Sequence, residues 1–105
     1  MAQFDVYRNP NPASRARVPY LLDVQSDLLD PLATRVVVPL CKPGVLKGKV
    51  AERLSPVFDI EGRKVVMLTP ELAGVSARHL GERVDNLSGR RDAIITALDF
   101  VFTGI

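Results

Sequence analysis

The sequence predicts an α+β fold that is mainly β: a small barrel or strongly bent antiparallel sheet with one long C-terminal helix packed across it. Three observations carry this expectation. Five or six short segments show period-two alternation or β-branched runs, bounded by proline, glycine, asparagine or aspartate. Leu87 to Ile105 is the longest stretch with a consistent helical period. No internal repeat and no long linker divides the 105 residues, so a single domain over 1–105 with one core is expected.

Gln3 to Tyr7 alternates, with Phe4 and Val6 on one face and Gln3, Asp5 and Tyr7 on the other, as in a half-buried opening strand. Asn9-Pro10-Asn11-Pro12 ends it, because proline lacks the ladder donor and restrains the residue before it. Pro19 to Val24 reads as a second strand. Gln25 to Pro31 reads as a turn or single helical turn rich in capping residues. It sets Leu28 and Leu29 side by side, so at least one should be exposed or meet another chain. Thr34 to Leu40 is a β-branched run suited to a buried strand, and Pro39 suggests that its end lies at an edge or bulge. Pro43 to Lys49 is a Gly-interrupted connector. Pro56 to Ile60 and Arg63 to Thr69 flank Glu61-Gly62 as a hairpin, with Gly62 supplying positive φ. Thr69 to Leu72 can open a short helix with Pro70 at its first position. Val75 to Leu80 is compatible with a sixth strand.

In the last segment Ile94, Leu98, Val101 and Ile105 follow helical steps, and Ile95 and Phe102 widen the stripe. Asp92, Thr96, Asp99 and Thr103 fall on the far side. Ser88 is the expected N-cap, and Gly104 is expected to end the helix in a left-handed conformation. The apolar terminus has two readings: a last Ile tucked into the core, or a contact surface.

Fourteen basic against twelve acidic side chains leave a net charge of only +2, which does not by itself indicate a nucleic-acid binder. One cysteine rules out an intramolecular disulfide. No apolar leader follows the opening residues, and the C-terminal apolar face is too short to span a bilayer, so a cytoplasmic location without membrane association is expected.

Candidate chemistry is sparse. Asp23, Asp27 and Asp30 invite a metal reading, but no His or Glu accompanies them, and Asp before a turn commonly caps backbone N–H groups. Cys41 and His79 are the sole Cys and His, without a companion set for nucleophilic work. His79 with Arg78 and Arg83 is the one cluster that permits an arginine-assisted ribonuclease. Arg8, Arg15 and Arg17 surround the proline loop as a solvated basic loop or a docking site for an acidic partner. Zinc spacing, a phosphate-cradling loop and a nucleophile elbow are all absent. No catalytic residue, metal or cofactor is therefore assigned.

The order of segments resembles the CcdB family, toxins of bacterial toxin–antitoxin modules. The residues that carry the resemblance are QFDVY at Gln3 to Tyr7, DVQSDLLD at Asp23 to Asp30, VVVPL at Val36 to Leu40, and the terminal Gly104-Ile105. The resemblance implies an SH3-like barrel with a long C-terminal helix, assembled as a homodimer. It implies a toxin that binds the DNA gyrase A subunit, traps gyrase on cleaved DNA, meets DNA only through gyrase or the antitoxin, and has no enzymatic activity of its own. A cognate antitoxin with a disordered C-terminal segment would neutralise it, with Arg8, Arg15 and Arg17 as the docking arginines. The family's gyrase-binding positions fall on Leu28, Leu29, Asp99, Phe102, Thr103, Gly104 and Ile105. Two of these depart from the family pattern: Thr103 replaces a tryptophan and Asp99 an asparagine. Loss of an aromatic hot spot typically costs ~2 kcal/mol, about 30-fold in affinity. Two alternatives stand beside the gyrase poison: an mRNA-cleaving ribonuclease on the same fold, and a relative that binds antitoxin without poisoning.

Overall fold

A computed structural model of the protein describes residues 1–45 and 54–104. Its sheet is organised on the longest strand, β3 (Thr34–Cys41). Around it lie β1 (Asp5–Arg8), β2 (Tyr20–Asp23), β4 (Val57–Ile60), β5 (Arg63–Met67), β6 (Ala73–Ser76) and β7 (Arg83–Asn86). The order is β4-β5-β3-β2-β1-β7, with β6 also on β3, and the resolved pairings are antiparallel. The sheet curls into a half-barrel, and α1 (Arg91–Thr103) closes it. The expected mainly β architecture with one C-terminal helix is borne out.

The core is built from the inward residues of the alternating strands. Val6, Leu22, Val38, Leu40, Ile60, Val65 and Met67 have no exposed surface, and α1 adds Ile94 and Ala97, also at 0%. Each fully buried aliphatic side chain is worth roughly 1.5–3 kcal/mol relative to exposure. Pro39 tells why β3 can carry a proline while paired on both sides. Residues 34–37 pair with β6, whereas Leu40 and Cys41 pair with β5. Pro39 sits at the handover, its carbonyl accepting from Leu68 N at 2.9 Å, so its missing N–H falls where one partner strand gives way to the next.

Several expectations need correction. β7 has only Val84 as an apolar signal, yet it pairs with β1 and raises the count among the described residues to seven strands. The Val75 to Leu80 segment divides into the end of β6 and a 3-10 turn over Ala77–His79, capped by the Ser76 hydroxyl. The opening strand starts at Asp5, because Phe4 adopts φ 72° in a preceding turn. In the β4–β5 hairpin Glu61 shares positive φ with Gly62, as a two-residue turn matching the sheet twist requires. Ser88 is not the cap of α1. A 3-10 turn over Ser88–Arg90 precedes the helix, Asn86 Oδ1 accepts from Ser88 N at 2.8 Å, and α1 begins without a side-chain cap. Gly104 does end the helix, at φ 72° with its N–H on Phe100 O. Phe102 does not widen the buried stripe: it is 68% exposed, while the small Ala97 takes the core position. The connector beyond Val45 and the terminal Ile105 lie outside the described residues.

Candidate functional site

The last turn of α1 presents Asp99, Phe102 and Thr103 to solvent. Thr103 Oγ1 donates to the Asp99 carbonyl at 2.7 Å, which satisfies the hydroxyl within the helix and leaves the Phe102 ring as the apolar feature of the tip. Gly104 follows immediately. Ile105, the remaining expected tip residue, is outside the described residues.

The other expected contact pair lies on a 3-10 turn over Asp27–Leu29. Leu28 is 91% and Leu29 48% exposed, with Leu32 at 52% beside them. This apolar turn is held by polar side chains beneath it. Ser26 Oγ accepts from Leu28 N, and the Gln25 side chain donates to Leu29 O at 3.1 Å while accepting from Val36 N at 3.0 Å. Asp27 Oδ1 accepts from Gln3 N at 2.7 Å. Arg35 reaches Asp30 at 3.1 Å. Among the described residues, no hydrogen bond or ion pair joins Leu28 or Leu29 to Asp99, Phe102 or Thr103.

Arg35 belongs to a buried polar cluster that sequence reasoning missed. Its Nε donates to Asp23 Oδ2 at 2.8 Å, and Nη2 lies 2.7 Å from the same oxygen without an aligned acceptor. Burial pushes the Asp23 carboxyl up, and the Gln25 N–H and the Arg35 charge do not fully offset it. Tyr7 Oη donates to Asp5 Oδ2 at 3.2 Å. Burial, then the charge of Asp5, drives the Tyr7 phenol up to about 12. Burial pushes Asp5 up as well, but donors from Asn86, Arg83 and Ala2 N outweigh it and hold the carboxyl below its ordinary value. The available signal was an arginine inside the β-branched run of β3, where an alternating position needs a partner. The aspartates thus serve the fold as caps and ion-pair partners, and no group of three or more metal-ligating side chains occurs among the described residues.

Of the three arginines expected to dock a partner, the structure brings two together. Arg8 and Arg15 line a cleft of about 340 Å³ with Tyr20, Pro19 and Glu82, and Arg63 joins them. Arg17 does not line this cleft, although it is exposed on the same loop. Arg8 is partly neutralised by Glu61 at 2.8 Å and Glu82 at 3.4 Å. Arg63 lies 5.7 Å from the Tyr20 ring centroid. The loop is ordered by Asn9, whose side-chain amide donates to Ser14 Oγ and Val18 O and accepts from Asn11 N.

The possible ribonuclease cluster is divided. Arg83 is taken by Asp5 at 2.8 Å. Arg78 and His79 are exposed and line a second groove, of about 540 Å³, against Asn9 to Pro12. Cys41 is fully buried, and burial raises its thiol, as befits a small hydrophobe. No described helix is long and apolar enough to cross a membrane.

Residues 3–104 match the family described as CcdB protein. Among solved structures, the chain is similar to an endoribonuclease in complex with its cognate antitoxin from Mycobacterial species. The TM-score is 0.76 at 15% identity, over 97% of this chain and 94% of that one. It is also similar to an endoribonuclease from Mycobacterial species, with a TM-score of 0.70 at 15% identity over 97% and 90% of the two chains. At this identity the likeness is one of fold. It nevertheless overturns the expectation that the chain has no enzymatic activity. That expectation was drawn from the family's mode of action, and proteins named as endoribonucleases share the architecture.

Proposed function

Because the chain belongs to the CcdB family, the toxins of toxin–antitoxin modules, we propose that it binds the DNA gyrase A subunit through the tip of α1 and traps gyrase on cleaved DNA. The observation that supports this reading is Phe102, 68% exposed on the last helical turn beside Thr103 and Gly104. A terminus that served only the core would bury such a ring; here it is available to a partner. Leu28 and Leu29 supply a second apolar contact on a turn already ordered by Ser26, Gln25 and Arg35. In a homodimer two such tips would face a two-fold target. A cognate antitoxin would dock an acidic segment against Arg8 and Arg15, reach the exposed Arg17 on the same loop, and fold as it binds. The test is a gyrase cleavage assay with purified protein, alongside thermal melting. Removal of Gly104 and Ile105 should abolish trapping and leave the melting temperature nearly unchanged. An equal loss of stability would return the tip to the core, and trapping that survives the deletion would remove it from the gyrase site.

A second reading, an mRNA-cleaving ribonuclease, is favoured by one observation. Arg78 and His79 line a single groove with the Asn9 to Pro12 segment, on a fold similar to that of named endoribonucleases. Cleavage of RNA by the wild type, lost in folded His79→Ala, would select it over the gyrase reading. Intact RNA would leave the gyrase reading in place.

A further inference from the structure

We infer that the groove between the Asn9 to Pro12 segment and the Ala77–His79 turn binds a nucleotide unit, a planar base carrying a phosphate. Its volume of about 540 Å³ falls within the range of roughly 300–1,000 Å³ common to small-ligand clefts. Leu21, Val75 and the rings of Pro10 and Pro12 give it apolar walls. Its free polar groups sit on the rim. The Arg78 guanidinium and the His79 ring make no hydrogen bond or ion pair with any described residue. Asn11 Oδ1 is occupied by Ala13 N, which leaves the amide NH₂ as a donor.

The charge of this lining decides the ligand class. No aspartate or glutamate lines the groove, whereas the neighbouring arginine cleft includes Glu82 and its Arg8 is already paired. A rim that offers the five donors of arginine and an amide NH₂ over an apolar slot suits an anion with a flat, weakly hydrated body bearing acceptors on its edge. A nucleotide has both parts. An acidic peptide would satisfy Arg78 but leave the slot unfilled. Both walls are set before any ligand arrives. Ala77 N donates to Ala33 O at 2.9 Å, Ser76 Oγ caps the 77–79 turn, and Asn9 locks the opposite segment from within. Preorganisation of this kind lowers the entropic cost of binding.

This inference shares its groove with the ribonuclease reading and rests on that placement, but it requires binding alone. The experiment therefore uses a fluorescein-labelled ten-nucleotide 2′-O-methyl RNA, which cannot be cleaved by attack of its own 2′-hydroxyl, with cleavage of ordinary RNA measured separately. Anisotropy should report saturable binding at low salt. Arg78→Ala should weaken it by about tenfold or more, the size of one lost charge-assisted contact. The log–log salt slope should fall by about 0.7 for each phosphate contact removed. Lys64→Ala, the same charge change on the exposed β4–β5 hairpin, should leave binding intact. A free nucleoside monophosphate that competes at the same concentration as the strand identifies a mononucleotide ligand; competition by the strand alone identifies single-stranded RNA. The inference is overturned if neither ligand saturates, if Lys64→Ala weakens binding as much as Arg78→Ala, or if a glutamate-rich peptide of equal charge displaces the strand equally well. Binding without cleavage leaves the groove assignment standing and refutes the ribonuclease.

Discussion

Arg35 and Asp23 form an ion pair at 2.7 Å with side chains 1% and 0% exposed, and Arg35 extends from it to Asp30 at the end of the Leu28–Leu29 turn. One guanidinium therefore links β3, β2 and an exposed apolar turn. Removing one member of a buried pair strands the other charge without compensation. Arg35→Met should cost about 3–5 kcal/mol in urea unfolding, while Asp23→Leu combined with Arg35→Met should recover much of it. A double variant as unstable as the single one would mean that the cluster is held by more than this pair.

Tyr7 should give stability a measurable alkaline limb. Its folded pKa, pushed up to about 12, lies above the ordinary value of 10.0, so the fold favours the neutral phenol. That contribution is fully present below pH 10.0 and is lost as pH rises through about 12. Tyr7→Phe should flatten this limb and cost about 0.5–1.5 kcal/mol at neutral pH, since Asp5 keeps its other donors. Denaturant melts between pH 8 and 11.5 check both. An unchanged alkaline limb in the variant would assign it to another group.

Phe102→Ser should separate stability from recognition. The ring is 68% exposed, so folding free energy should change by no more than about 0.5 kcal/mol. Gyrase binding should weaken by ~2 kcal/mol, about 30-fold, if the ring is the interfacial anchor. Thr103→Trp, which restores an aromatic side chain at the adjacent position, should strengthen it. Calorimetry with the gyrase A subunit reads both variants, and affinities unmoved by either would remove the helix tip from the interface.

Gly81 should tolerate no side chain. A Cβ there would meet the Arg8 carbonyl oxygen at 2.6 Å, and that oxygen is backbone, itself accepting from Gly81 N at 3.0 Å. Gly81→Ala must push β1 and the 81–82 segment apart, at a cost of about 1–3 kcal/mol. It should also displace Arg8 from Glu82 and so open the arginine cleft. Gly89→Ala, where an added Cβ meets nothing within 4 Å, is the control.

Local pattern alone determined the strands with apolar alternation and the helix between Leu87 and the C-terminus, by periodicity, and the Glu61-Gly62 hairpin and the Gly104 stop, by glycine's access to positive φ, because each depends on residues at most four positions away. That at least one of Leu28 and Leu29 is exposed was legible for the same reason, since a turn that short cannot bury both; that both are exposed came from the fold. Three features were decided only in three dimensions. β7 exists because β1 offers it a free edge, and a segment reading Arg-Val-Asp-Asn carries little apolar signal of its own. Asp5, Tyr7, Asp23 and Arg35 are buried because the curled sheet stacks them against one another, 2 to 30 residues apart in sequence, on the face that alternation assigns to solvent. Arg63 lines the cleft of Arg8 and Arg15, and His79 lines one groove with Pro12, although the partners lie tens of residues apart in sequence. Side chains so far apart in the chain leave no mark on local pattern. Their proximity is a property of how the strands pair.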